Sequence, residues 1–101
     1  MNDINLTLPE KEIVVSILRR YVPDRYVVVF GSRVKRTAKP FSDLDIAILG
    51  EQPLSIATLA QLNEDFTESA LQFKVDIVDW ATTKESFRKI INSEGIDLPF
   101  T

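Results

Sequence analysis

Two apolar segments, each next to a short polar motif, constrain the fold of this chain more than any other feature. Residues 25–30 are rich in β-branched and aromatic side chains, and Gly31 and Ser32 follow at once. Residues 43–49 form a second apolar segment, which carries Asp43 and Asp45 at its start. Both segments predict β-strands. The run of apolar residues 27–30 is not interrupted by polar ones, which predicts a strand buried on both faces.

The second segment is predicted to present an acidic face and an apolar face. Side chains alternate along a strand, so Asp43 and Asp45 share one face, while the leucine and isoleucine residues between and after them share the other. Aspartate is disfavoured in strands, and two of them in an apolar segment are costly unless a cation compensates their charge. Their carboxylates could converge on one cation or a close pair. The alternative, a polar strand start exposed to solvent, explains Asp45 less well than Asp43.

The remaining sequence patterns predict three helices and a third strand. The first helix begins at Pro9 and ends before Pro23, the second is capped by Ser55 or Thr58 and ends near Ala70, and the last ends at Gly95. Residues 73–80 predict the third strand, residues 33–37 a short helical turn, and residues 96–101 a tail that packs back. The order α-β-β-α-β-α predicts a single domain over residues 1–101, with an α+β fold in which a small mixed sheet has its helices packed on one face.

The patterns also predict how the second and last helices begin and which side chains they bury. The last helix is predicted to begin with a capping box, in which Thr82 is the N-cap and Glu85 its partner. The residues predicted to be buried in these two helices are Ile56, Leu59, Leu62, Phe66 and Ala70 in the second, and Phe87, Ile90 and Ile91 in the last.

The composition limits the chemistry that the chain can perform. It has no cysteine and no histidine among its 101 residues, which excludes disulfides, thiolate metal sites and imidazole general bases. Acid–base or metal chemistry would therefore depend on aspartate and glutamate, whose oxygens suit hard cations such as Mg²⁺. The net charge of −3 disfavours direct nucleic-acid binding. A local positive site for a small polyanion is still offered by Arg33, Lys35, Arg36 and Lys39.

The sequence also bears on location. No apolar run approaches the length of about 20 residues that a membrane span needs. The first residues show neither a basic segment nor a long apolar one, so no signal peptide is recognised. We therefore expect a cytoplasmic protein without a membrane partner.

The Gly31-Ser32 pair has two interpretations. Glycine allows a sharp turn or the close approach of a ligand, and a backbone N–H at the start of the next helix, together with the Ser32 hydroxyl, can bind a phosphate oxygen. The alternative is an ordinary strand-to-helix turn with Ser32 as the N-cap. The pair is not part of a Walker A loop, because the second glycine and the Gly-Lys-Ser/Thr ending are missing.

A third carboxylate is available from the third strand. Asp76 and Asp79 are three positions apart and therefore point to opposite faces, so only one of them can join Asp43 and Asp45. Asp76 lies deeper in the apolar run and is the preferred candidate. Asp79 lies near the strand end, where it is expected to be exposed or to cap the chain near Trp80.

Taken together, these motifs resemble the minimal nucleotidyltransferase family, which belongs to the nucleotidyltransferase superfamily that includes DNA polymerase beta. The resemblance implies two Mg²⁺ ions bound by Asp43, Asp45 and Asp76, which would also be the catalytic residues. It implies ATP or another nucleoside triphosphate as substrate. Many family members carry a second glycine where this chain has Arg36. The residues that the resemblance assigns to nucleotide binding are Gly31, Ser32, Arg33 and Ser42.

The resemblance also implies an activity and a partner. The activity is Mg²⁺-dependent transfer of a nucleoside monophosphate, AMP from ATP, to a hydroxyl on a partner protein or a small molecule. Members of this family are often encoded beside a HEPN-domain protein, so an antitoxin role in a HEPN/MNT toxin–antitoxin pair is implied. The alternative is a catalytically weak or inactive nucleotide- or partner-binding module that neutralises or scaffolds such a partner. Since the HEPN ribonuclease motif Arg-x-His needs a histidine, this chain is not itself that ribonuclease.

Overall fold

The computed structural model describes residues 4–100 and contains one mixed four-stranded sheet, in the order β3-β2-β1-β4. Strand β1 runs antiparallel to β2 and β4, whereas β2 and β3 are parallel. The predicted α+β class with a small mixed sheet is confirmed. A 3₁₀ turn, Trp80–Thr82, follows β3. The strands are β1 Val27–Phe30, β2 Leu44–Ile48, β3 Val75–Asp79 and β4 Ile96–Asp97, and the helices are α1 Leu8–Tyr21, α2 Ser32–Lys35, α3 Ile56–Glu68 and α4 Glu85–Glu94.

The central strand β1 is buried along its whole length, as its uninterrupted apolar run predicts. Val27 and Val29 belong to the larger core, which also contains the buried side chains of α1 and α3. Val28 and Phe30 belong to a smaller cluster on the opposite face of the sheet. Helix α3 connects β2 to β3, and such a crossover lets the two strands run parallel and begin at the same edge of the sheet.

Helix α4 corrects the prediction that the helices pack on one face. Its buried residue Ile91 contacts the cluster of Val28 and Phe30, so α4 lies on the face opposite α1 and α3. Phe87 and Ile90, predicted to be buried, are 37% and 48% exposed. Because α1 and α3 pack on the opposite face, they do not cover these two side chains, although Phe87 still packs edge-to-face against Phe30 of β1 with the ring centroids 5.7 Å apart. The helix leads directly into β4, which pairs with β1. This strand was predicted only as a tail that packs back.

The predicted starts of α4 and α1 are also corrected. The box predicted at Thr82 and Glu85 is absent, since α4 begins after Lys84, which makes no side-chain cap bond. A capping box lies instead at the start of α1, where the Glu10 N–H donates to Thr7 Oγ1 at 3.2 Å and the Thr7 N–H donates to Glu10 Oε1 at 2.8 Å. Helix α1 therefore begins one residue before Pro9, at Leu8.

Helix α3 begins after Ser55, whose Oγ accepts a hydrogen bond from the Thr58 N–H at 3.0 Å. Leu62 and Phe66 are buried as predicted. Ile56 is 88% exposed and Ala70 is also exposed, so both were wrongly assigned to the buried stripe. The helix ends at Glu68, two residues short of Ala70. Within residues 4–100, no helix is long and apolar enough to cross a membrane.

Candidate active site

Three carboxylates lie at the edge of the sheet where the parallel strands β2 and β3 begin. Asp45 and Asp76 are direct partners in the register of these strands, so their side chains are neighbours on one face. Asp43 precedes Asp45 by two residues on the same chain segment. Asp79, in contrast, accepts hydrogen bonds from the backbone N–H groups of Leu54 at 2.9 Å and Ala81 at 3.3 Å. The structure thus places Asp76 beside Asp45 and gives Asp79 a local capping contact.

The electrostatic environment of Asp45 is unfavourable for a bare carboxylate. Partial burial raises the pKa of Asp45, and the negative charges of Asp76, Asp43 and Glu94 raise it further. A cation placed among these groups would remove both penalties. The repulsion among the carboxylates makes this a face that a cation would stabilise.

Lys74 supplies part of that compensation. Its Nζ lies 3.2 Å from Asp76 Oδ1, and this contact, together with the charges of Asp76 and Asp43, raises the pKa of Lys74. Between residues 4 and 100, no three carboxylates are arranged to hold a metal ion in these side-chain positions. The donor atoms fit Mg²⁺, since they are carboxylate oxygens on one face. A cation bound here would compete with Lys74 for the Asp76 carboxylate.

Gly31 joins the first motif to the carboxylates. It has a φ of 78°, and a Cβ at this position would overlap Asp45 Oδ2. Gly31, and not Ser32, is the N-cap of α2, and it makes no side-chain cap bond. Ser32 is the first helical residue, and its hydroxyl has no hydrogen-bond partner in the described part of the chain. The glycine turn and the acidic face therefore form one continuous site.

We expect Gly31→Ala to lower the free energy of unfolding by about 1–2 kcal/mol from the positive φ alone, with a further loss from overlap with Asp45. Urea unfolding would measure both contributions in a double-mutant cycle. In an Asp45→Ala background the overlap disappears, so the cost of Gly31→Ala should fall to its backbone part. An equal cost in both backgrounds would contradict the proposed contact.

Arg33 does not fit the predicted contact with phosphate. Its side chain is 3% exposed and its guanidinium lies 4.0 Å from the centre of the Phe73 ring. Its Nε and Nη2 donate to the Ser42 carbonyl at 3.1 and 2.8 Å, and its other two bonds go to the carbonyls of Pro40 at 3.2 Å and Asn5 at 2.9 Å. Arg33 thus holds the loop that leads to Asp43.

The same loop engages two other residues singled out in the sequence. Ser42 Oγ accepts a hydrogen bond from the Lys39 N–H at 2.8 Å, which closes the turn before Asp43. Arg36 has a φ of 62° and a ψ of 28°, the left-handed conformation at the end of α2. Glycine adopts this conformation most readily, which gives a backbone reason for a glycine at this position.

Glu94, at the C-terminal end of α4, is a neighbour of the site that the sequence analysis missed. Its Oε1 accepts a hydrogen bond from the Gly31 N–H at 3.0 Å, and its Oε2 lies 3.1 Å from Lys35 Nζ. The only signal was a glutamate just before the helix-ending Gly95. The helical pattern of α4 does not show which strand its end would meet.

Comparison with known sequences identifies the family of the chain. The family profile described as "Polymerase beta, Nucleotidyltransferase" matches residues 12–98. A probable protein adenylyltransferase MntA from Haemophilus influenzae is 50% identical over 88 residues, which cover 87% of this chain and 77% of the relative. A protein adenylyltransferase MntA from Thermococcus cleftensis is 32% identical over 95 residues, which cover 90% of this chain and 95% of the relative.

Solved structures show the same fold. A crystal structure of a toxin–antitoxin with AMP-PNP superposes with a TM-score of 0.74 at 27% identity, over 90% of this chain and 73% of the other. A complex of a tri-AMPylated Shewanella oneidensis HEPN toxin with its MNT antitoxin gives a TM-score of 0.67 at 26% identity, over 90% and 70% of the two chains. Together with the profile match, these similarities establish that the chain belongs to the polymerase beta nucleotidyltransferase family.

Proposed function

We propose that this chain is a Mg²⁺-dependent protein adenylyltransferase that transfers AMP from ATP to a hydroxyl of a HEPN-type partner, as the antitoxin of a toxin–antitoxin pair. The observation that carries the proposal is the contact between its two motifs: Gly31 lies against Asp45, which is paired in register with Asp76. The relatives support the type of acceptor, because two are named protein adenylyltransferases and one solved complex contains an AMPylated HEPN toxin.

In this proposal the three carboxylates and the glycine turn have separate tasks. Asp43, Asp45 and Asp76 would hold Mg²⁺, which supplies charge neutralisation at the reacting phosphate when bound. The missing side chain of Gly31 lets the Asp45 carboxylate lie directly against the turn, and the Ser32 hydroxyl offers a donor for a phosphate oxygen.

The proposed reaction is an in-line displacement at the α-phosphorus. The acceptor oxygen forms a bond to this phosphorus while the bond to the α,β-bridging oxygen breaks, so pyrophosphate leaves. The acceptor proton passes to a carboxylate, for which Asp76 is our candidate. Lys74 pairs with one of the two Asp76 oxygens, so its ammonium would compete with this proton for the carboxylate.

A second candidate function is a partner-binding module with weak or no catalysis. It is favoured by the Lys74–Asp76 contact and by carboxylates that are not arranged as a three-ligand metal site in residues 4–100. A direct assay separates the two functions. The chain is expressed with the product of the adjacent gene and incubated with Mg²⁺ and ATP labelled at the α-phosphate.

We expect label on the partner chain that disappears with EDTA. In a parallel reaction with ATP labelled at the γ-phosphate, label on the partner chain would indicate phosphoryl transfer and contradict the proposal. ATP binding or complex formation without transfer of label would favour the binding module.

A further inference from the structure

Glu94 forms a bridge from α4 to both ends of the Gly31–Lys35 segment. One carboxylate oxygen accepts the Gly31 N–H and the other pairs with the ammonium of Lys35, the last residue of α2. The Glu94 side chain is only 20% exposed, whereas that of Lys35 is 56% exposed. A single side chain thus ties the start and the end of the segment that contains Ser32.

The backbone around Glu94 is fixed independently of this bridge. Gly95 follows it, and the Gly95 N–H donates to the Ile91 carbonyl at 2.7 Å, which closes α4. A Cβ on Gly95 would overlap Val28, so the chain runs directly against β1 at this point. Ile96 then pairs with Val29 in the sheet. Glu94 is therefore held by the central strand, and its position is that of a rigid support.

The bridge exists despite an electrostatic cost. Glu94 adds a third negative charge near Asp45, which Asp43 and Asp76 already repel. Gly31, meanwhile, is a residue with unusual conformational freedom, and its positive φ is one of several conformations open to glycine. A hydrogen bond from its N–H to a fixed acceptor selects one of them. The two donors, Gly31 and Lys35, offset the repulsion.

We propose that Glu94 is a positioning residue that fixes the Gly31 turn, so that the Ser32 hydroxyl and the carboxylates face the same nucleoside triphosphate. This inference rests on the proposed function for the identity of the ligand. In the opposite role, Glu94 competes with the nucleotide. A peptide N–H has one hydrogen to donate, so a phosphate oxygen that accepts it from Gly31 has to displace the Glu94 carboxylate, and this displacement would weaken binding. The two roles predict opposite effects of removing the side chain.

The test compares Glu94→Ala, Glu94→Gln and the matched control Glu85→Gln, an exposed glutamate on the same helix. Calorimetry with Mg²⁺-ATP measures the dissociation constant of each. We expect Glu94→Ala to raise it roughly tenfold, since a charged hydrogen bond is lost. Glu94→Gln should stay within about threefold of wild type, because its amide oxygen can still accept the Gly31 N–H. Glu85→Gln should bind as wild type does.

A second measurement does not depend on the nucleotide. The chain has three glycines, so labelling with ¹⁵N-glycine gives three amide signals in an NMR spectrum. The Gly31 signal is identified by its loss in Gly31→Ala. We expect it to move in Glu94→Ala far more than the Gly50 signal does. This readout confirms or refutes the bridge even where the proposed function fails.

Three results would overturn the inference. Tighter ATP binding by Glu94→Ala would make Glu94 a competitor of phosphate. Equal weakening in the Ala and Gln variants would assign the effect to charge and not to the turn. A shifted Gly31 signal with unchanged ATP binding would leave Glu94 a purely structural residue. If wild type itself does not bind ATP, the proposed function falls, and the Gly31 signal reports on the bridge alone.

Discussion

Replacing Asp45 with asparagine is expected to lower adenylyl transfer by about a thousandfold or more, which corresponds to roughly 4 kcal/mol of transition-state stabilisation. Asp45 is the carboxylate that connects the acidic face to the glycine turn, since it is paired with Asp76 and lies against Gly31. Asparagine keeps the size of the side chain but loses the charge that a metal ion needs. The initial rate of label transfer from α-labelled ATP to the partner protein is the measurement.

The matched controls are Asp76→Asn and Asp79→Asn. Asp76→Asn should also impair transfer strongly, whereas Asp79→Asn should change it by less than about threefold, because the Asp79 carboxylate accepts its hydrogen bonds from the backbone N–H groups of Leu54 and Ala81, away from the acidic face. Equal transfer by wild type and Asp45→Asn would contradict the assignment of Asp45 as a metal-binding carboxylate. Loss in Asp79→Asn but not in Asp76→Asn would reverse the choice of the third carboxylate.

The same Asp45→Asn change should stabilise the fold when divalent cations are removed with EDTA. The pKa of Asp45 is raised in the folded protein, first by burial and then by its acidic neighbours. A raised carboxyl pKa means that ionisation costs stability, and this cost grows as the pH rises from the unfolded pKa through the folded one. We therefore expect a higher melting temperature for the variant at neutral pH, and a smaller difference in acid. A lower melting temperature at neutral pH would contradict this.

The acidic face could be predicted from the sequence because its prediction needs only the alternation of side chains along a strand. Alternation along β2 separates Asp45 from its apolar neighbours, and the spacing of Asp76 and Asp79 sends them to different faces. The position of Asp76 in its strand then distinguishes it from Asp79. These inferences need only the period of a strand, and the structure places both side chains accordingly.

Features that depend on how distant segments meet could not be predicted in this way. The amphipathic pattern of α4 indicates a buried face but does not show that α4 will lie on the side of the sheet opposite α1 and α3, where Phe87 and Ile90 stay partly exposed. The contact between Glu94 and Gly31 joins residues 63 positions apart. The burial of Arg33 likewise depends on a loop that folds back over it, so a basic residue beside a glycine-serine turn was interpreted as a phosphate ligand.

Arg33→Ala is accordingly expected to destabilise the fold by about 3 kcal/mol or more, because it removes charged hydrogen bonds to three loop carbonyls together with the packing of a buried side chain on Phe73. That is a large part of the stability of a domain of this size. Urea unfolding measures the loss. Arg20→Ala is the matched control, since the Arg20 side chain is 60% exposed in its ion pair with Asp65 and should cost less than about 1 kcal/mol.

Arg33→Lys decides between the structural role and the phosphate contact. Lysine keeps the charge but lacks the planar group that reaches the carbonyls of Ser42, Pro40 and Asn5 together, so most of the loss of stability should persist. A direct phosphate contact predicts the reverse, unchanged unfolding with weaker ATP binding, and that result would return Arg33 to the nucleotide site. Because Arg33 bonds to the loop that leads to Asp43, we expect any loss of transfer in this variant to follow its loss of stability.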